Sequence, residues 1–287
     1  MRERRWASVM VLCFAGCSAT AAERTSPAPR TLVVCAPGFP GSTKEAQPTL
    51  DTFARFVERA AGWKQGRLNA VYHETEAAGV ARLKEEDAVL AMITAPFFVK
   101  YRAELKLKPR LKAVSESGRD EVWSLAARKG AIAAPASLDG WEVTGLPGFA
   151  PGFVRGPMLG AWGDLSETTR IAFTSRVASA LLKAASGEKL AVILDGEQGA
   201  SLSSHPNAAD LEVVARSRPM PSSLLCTVGE VGGRDLESLL KAMPRLPDRE
   251  GGGEILKSLR LSRFEPVDSA AVDRVLGDSS RSTGSGK

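Results

Sequence analysis

Four carboxylates stand where an α/β chain most often keeps its chemistry. Glu74, Glu116, Asp195 and Glu197 each follow a short apolar run that reads as a strand. Two of them brought together would form a general acid–base pair. Nothing else in the chain supports catalysis. It carries no nucleophile elbow, no P-loop and no metal-ligand spacing. The two histidines, His73 and His205, have no partners at ligand spacing. Charged residues at strand ends are more often solvated or hydrogen-bonded. The residues therefore argue for binding without an enzyme activity, a metal or a cofactor.

The binding candidates lie in two loops rich in Gly and Pro, each with one phenylalanine. Pro37–Thr43 follows the β-branched run Thr31–Cys35 and holds Phe39. Gly145–Gly152 follows Trp141–Thr144 and holds Gly148 and Phe149. Both also read as ordinary connections with no ligand. In open α/β sheets the C-terminal strand ends share one edge, and ligands bind there. Phe39, Thr43, Thr94, Phe97, Gly148, Phe149, Asp195 and Gln198 all lie at or just past such ends. They are expected to converge on one ligand-binding cleft. Phe98 reads as core, and Phe97 as either core or cleft wall. Asp195 equally reads as the cap of the next helix. Walls from Phe39 and Phe149, with Asp195 and Gln198 between them, predict a neutral or cationic polar solute.

The elements that position these residues alternate. Strands are expected at 31–35, 68–72, 88–94, 111–115, 121–128, 141–144, 190–194, 211–215, 224–228 and 261–267. Helices are expected from about Glu45 to Gly62, over 75–84, 175–186, 236–243 and 253–259, with a short helix carrying Tyr101 and Leu105 and helical spacing also through Val154, Met158, Leu159 and Trp162. Ala88–Thr94 is a continuous apolar run, as in a strand covered on both faces. Strands alternating with helices argue for parallel sheets.

Composition is that of a globular protein, 44% hydrophobic and 25% charged over 287 residues. The net charge of +5 is spread along the chain, with few aromatics among the basic residues, so no nucleic-acid partner is expected. Arg2, Arg4 and Arg5 precede a short apolar stretch, Trp6 to Ala15, as in an export signal. Phe14-Ala15-Gly16-Cys17 resembles a bacterial lipobox, which would lipidate Cys17. Ordinary cleavage after Ala19-Thr20-Ala21 is the competing reading. Cys35 and Cys226 sit in apolar runs and read as buried thiols, although export would permit a disulfide.

The ordered set of segments resembles the phosphate/phosphite/phosphonate ABC-transporter substrate-binding proteins. The matching pieces are TLVVCAPGF, LNAVYHE, DAVLAMITAPFF, SLDGWEVTG, LAVILDGEQ, EVVARSRPMPSSLLC and RFEPVD, spread over about Thr31 to Asp273. The resemblance implies a two-lobed class II periplasmic-binding-protein-like α/β fold, each lobe a mainly parallel sheet flanked by helices. It places the crossings near Ser117 and Ser222, and a solute gripped by hinge closure. The implied organisation is signal peptide and lipobox 1–22, tether 23–30, first lobe 31–117 plus 222–274, second lobe 118–221, and a disordered tail 275–287. It further implies a periplasmic monomer, held at the membrane by a lipid anchor and handing a small-molecule solute to an inner-membrane ABC permease. The alternative is an interaction, scaffold or sensor protein that keeps the fold without the ligand.

One departure bears on the ligand. Phosphonate binders carry a Ser-Thr-Ser-Gly-like loop after the strand matching Trp141–Thr144, where hydroxyls and N–H groups hold the oxyanion. Here the place is taken by Leu146-Pro147-Gly148-Phe149-Ala150-Pro151, with no hydroxyl and two residues lacking an N–H.

Overall fold

The computed structural model describes residues 29–277, apart from 40 and 231. The expected export signal, Cys17 and most of the expected tether lie outside the described residues, as do residues 278–287. The chain begins β1 (Arg30–Cys35), α1 (Thr43–Ala61), β2 (Leu68–His73), α2 (Glu76–Leu83), β3 (Ala88–Thr94), α3 (Ala95–Tyr101) and β4 (Lys108–Ser115). It continues through β5 (Ser124–Arg128), β6 (Glu142–Gly145), the short turn α4 (Pro151–Phe153), β7 (Arg170–Phe173), α5 (Val177–Ala185), β8 (Leu190–Leu194), α6 (Gly196–Ser201) and β9 (Leu211–Arg216). It closes with β10 (Ser223–Thr227), α7 (Arg234–Ala242), α8 (Gly252–Ser258), β11 (Leu261–Pro266) and α9 (Ser269–Leu276).

The strands form two sheets, one in each lobe. The first has the order β11-β4-β10-β3-β1-β2 and the second β7-β6-β8-β5-β9. β3 lies inside the first sheet and is buried at every residue, which explains its unbroken apolar run. Both sheets are mixed. Parallel pairing is confined to β1 with β2 and β3, and to β6 with β7 and β8. β10 runs against β3 and β4, and β5 against β8 and β9. The crossings account for this. β5 and β10 are the first strands after the chain changes lobe. Each starts at the edge where the βα strands end, so each must run the other way.

Local chemistry sets the first lobe. Ser42 and Glu45 form a capping box at the start of α1. Leu50, Phe53, Ala54 and Val57 form the buried face of that helix. Glu58, only 2% exposed, accepts the Leu68 N–H at 2.7 Å and ties α1 to β2. One apolar cluster fills the space between α1, β2, α7 and α8. A second runs from Cys35, Ile93, Phe97 and Phe98 into Trp123, Leu125, Phe153 and Met158, so the core continues from lobe to lobe.

Two elements go beyond the expected set. The edge strand β7 is largely exposed and shows no apolar alternation. At the other end, α9 extends to Leu276, whose side chain is fully buried. The expected disordered tail from 275 is corrected accordingly, because Val272 and Leu276 pin the helix to the core. Cys35 and Cys226 are free, buried thiols on β1 and β10, with β3 between those strands. Burial pushes the Cys35 thiol up to about 12 and the Cys226 thiol up as well.

Candidate functional site

The two chain crossings pair with each other. Glu121 N–H donates to the Met220 carbonyl at 2.7 Å, and Met220 N–H to the Glu121 carbonyl at 3.0 Å. One step further, Ser217 N–H reaches the Trp123 carbonyl at 2.8 Å, and Trp123 N–H reaches Ser217 Oγ at 2.9 Å. Two short segments hydrogen-bonded side by side make a narrow ribbon between the sheets. Bending it needs backbone rotation at few residues, which is what a hinge requires.

Beside the ribbon stand three carboxylates, Glu121, Asp195 and Glu197. Asp195 caps α6, accepting the Gln198 N–H at 2.8 Å, while Gln198 Oε1 accepts the Asp195 N–H at 3.1 Å. This reciprocal capping box engages both side chains. Of the two readings of Asp195, the helix cap is the one seen, with Gln198 as its partner. The Glu121 carboxylate accepts the Gly196 N–H, bringing it against the same helix. Burial raises the Asp195 carboxyl above its usual range, and the Glu197 charge adds to the rise. Glu121 is raised too, first by burial and then by the charges of Asp195 and Glu197.

These shifts have a sign that can be measured. Raised carboxyls bind protons in the folded state at a pH where the unfolded chain has released them. Stability therefore falls as pH rises through that window. Asp195→Asn keeps the cap acceptor and removes one of the clustered charges, so it is expected to be at least as stable as wild type at pH 7. Its margin should shrink as pH falls into the carboxylate range. Asp195→Ala loses the cap and should cost about 1 kcal/mol. Urea midpoints at several pH values check both.

The lobes touch through their facing loops. Gly38, at φ +81°, lies against the second lobe: a Cβ there would stand 2.7 Å from Leu146 Cδ2 and 2.9 Å from the Phe173 ring. Phe149 and Phe173 meet edge to face with ring centroids 6.4 Å apart. Phe39 and Phe173 stay 40% and 47% exposed, so the rim presents aromatic surface to water. The lobes also meet through α3 against α4, and through α9 against the turn Val154–Met158.

The remaining expected residues are placed differently. Thr43 Oγ1 donates to the Tyr72 carbonyl at 2.9 Å, and its N–H donates to Glu74, so it ties α1 to the end of β2. Thr94 is buried beside Ser223 and starts α3 without a side-chain cap bond. Phe97 is fully buried, its ring 4.8 Å from that of Tyr101. It is core and not cleft wall, because α3 begins directly at the end of β3 and turns these residues under the sheet. Gly148 is buried against β7, where a Cβ would come within 1.9 Å of the Ala172 carbonyl oxygen. A glycine here allows the close backbone approach. The structure thus brings the loop of Phe39 against the second lobe through Gly38, with Phe173 and Lys100 beside Phe149, while Glu121 stands apart from them with Asp195 at the ribbon; no local motif in the sequence marks Phe173, Lys100 or Glu121.

His73 ends β2 with Nε2 buried and without a hydrogen-bond partner among the described residues. Among the described residues no three His, Cys, Asp or Glu side chains gather as metal ligands, and no helix is long and apolar enough to cross a membrane. Two surface grooves, of about 320 and 400 Å³, lie on the first lobe rather than between the lobes. Gln47, Asp51 and Arg55 line one, and Arg102, Lys108 and Arg110 the other.

Two mixed sheets, crossed twice by the chain through a paired ribbon, define the class II periplasmic-binding-protein fold. Solved structures agree. The chain is similar to XAC2383 from Xanthomonas citri bound to chloride ion, with 14% identity, 85% of this chain and 98% of that chain covered, and a TM-score of 0.63. A binding protein component of an ABC phosphonate transporter from Pseudomonas aeruginosa matches at 13% identity, covering 86% of this chain and 84% of its own, with a TM-score of 0.59. PhnD1 from Prochlorococcus marinus in complex with methylphosphonate matches at 15% identity, 86% and 96% coverage, and a TM-score of 0.56. The resemblance to phosphonate-binding proteins therefore holds at the level of fold. No protein-family model matches the chain, and no curated protein matches it in sequence.

Proposed function

We propose that this chain is the exported solute-binding component of an ABC-type transport system, taking a small solute between its two lobes and passing it to an inner-membrane permease. The hinge ribbon at Glu121 and Met220 carries this reading, since it joins two otherwise separate sheets whose βα strand ends lie beside it. Fold neighbours described as transporter binding proteins support it. The solute is neutral or cationic. Pro147 and Pro151 offer no N–H, the loop has no hydroxyl, and the half-buried Glu121 and Asp195 repel an anion. Phe39 and Phe149 form the apolar rim, each Å² of apolar surface buried there contributing about 25 cal/mol. A thermal-shift screen of polar and cationic metabolites tests this, because a ligand of the native state raises its melting temperature. Phe149→Ala should weaken any hit; a hit that Phe149→Ala binds like wild type would overturn the cleft assignment.

Export and anchoring belong to the same proposal. Cys17 would carry the lipid, with the chain facing the periplasm as a monomer. Cys17→Ser should move the protein from the membrane fraction to the soluble periplasm. A wild-type protein already soluble and beginning near Ala22 contradicts the anchor.

A second reading has its own observation. Gly38 already packs on Leu146 and Phe173, and Asp195 and Gln198 already satisfy each other. A scaffold or sensor that kept the fold and lost its solute would show such contacts. A screen with no hit, from a protein that melts cooperatively, favours this reading.

A further inference from the structure

The ammonium group of Lys100 stands in a cage drawn from both lobes. Lys100 lies near the end of α3, in the first lobe. Its Nζ pairs with Glu76 Oε1 at the start of α2, and Tyr101 donates its phenolic O–H to the same carboxylate oxygen. Nζ also donates to the Phe149 carbonyl of the second lobe at 2.7 Å. It stands 5.3 Å from the Tyr101 ring centroid and 5.8 Å from that of Phe149. A carboxylate, a carbonyl and two aromatic faces are the groups that recognise an alkylammonium ion: the oxygens accept its N–H bonds and the rings attract its charge. Phe149 is the contribution of the second lobe. It supplies both a carbonyl and a ring, so separating the lobes breaks two of the contacts at once.

We propose that this cage is an ammonium-binding site whose resident ligand is the protein's own Lys100, and that it latches the lobes together when no solute is bound. The Lys100 side chain is 36% exposed and that of Glu76 25%. The ion pair is therefore neither a fully hydrated surface pair, which contributes little, nor a sealed one that could not open. An ammonium with access to water leaves and returns, as a reversible latch requires. The Gly38 contact with Leu146 and Phe173 closes on the same rim but carries no charge. The inference depends neither on the identity of the transported solute nor on whether one is transported. An exogenous primary alkylammonium ion is the ligand class the cage would take in place of Lys100.

Small-angle scattering on the full protein, without solute, tests the latch. Wild type should be compact. Lys100→Ala should give a larger radius of gyration, with unchanged circular dichroism. Truncation to Ala removes a propylammonium unit, so propylammonium chloride should restore compactness, and 1-propanol in sodium chloride of equal ionic strength should not. Glu76→Gln removes the negative charge and should also open the lobes, giving a second route should Lys100→Ala fold poorly. Lys84→Ala breaks an ion pair with Glu104 inside the first lobe and should leave the radius unchanged. An open wild type, a Lys100→Ala protein as compact as wild type, or an opening that propylammonium does not reverse would each overturn the proposal.

Discussion

Gly148→Ala is expected to destabilise the second lobe by about 3 kcal/mol or more, the upper range for overpacking a filled site. A Cβ at Gly148 would lie 1.9 Å from the Ala172 carbonyl oxygen, 2.3 Å from its carbon and 2.7 Å from the Phe173 nitrogen. All three are backbone atoms of β7, which is held in parallel register to β6 with Gly145 opposite Phe173. No side-chain rotation relieves such a contact. Either β7 leaves the sheet or the turn Leu146–Phe149 moves, and both disturb the rim that meets Gly38. Gly152 is the control in the same loop. Nothing lies within 4 Å of a Cβ there, and Gly152→Ala should stay within roughly 0.5 kcal/mol of wild type. Urea unfolding followed by circular dichroism measures both, with the midpoint falling at unchanged slope for Gly148→Ala. Equal midpoints for the two variants would mean that the loop does not lie under β7.

Phe97→Ala should cost about 3–5 kcal/mol, as for other fully buried aromatic side chains. Phe97 has no exposed surface, and its ring rests against that of Tyr101. A Cβ at Gly79 would stand 3.8 Å from the Phe97 ring and 2.2 Å from Cys35 Sγ, so α2, β1 and α3 meet at this point with little space. The result separates core from cleft wall. A wall residue would lose ligand affinity at nearly constant stability, whereas Phe97→Ala should lower the melting temperature with or without solute. Stability within 1 kcal/mol of wild type would return Phe97 to the cleft.

The parts legible in the sequence are those where one local pattern decides the outcome. β3 and β8 are apolar runs because neighbouring strands and covering helices leave their side chains no water, and β1 is nearly as closed. α1 announces itself by its buried stripe. β7 does not: a short edge strand with half its surface in water needs no particular residues, and its register is set by β6. The mixed direction of the sheets was equally hidden, since it follows from where the chain changes lobe and not from any strand's own composition. At the site, the spacing of Asp195 and Gln198 was a visible capping signature, and the structure uses it as one. Phe98 reads as core and Phe97 as either core or cleft wall, and the immediate start of α3 buries both. Glu76, Lys100, Tyr101 and Phe149 come from three separate segments, so the cage they form exists only once the lobes have met.

The chain keeps the two-lobed fold, and the proposed solute between its lobes is not a phosphonate. Calorimetric titration of the purified protein with phosphate, phosphite and 2-aminoethylphosphonate tests it most directly. The hydroxyl-free loop Leu146–Pro151 and the raised carboxyls of Glu121 and Asp195 predict no binding heat from any of the three. Micromolar binding of one of them would contradict the account and would assign the anion to backbone N–H groups between Gly148 and Gly152.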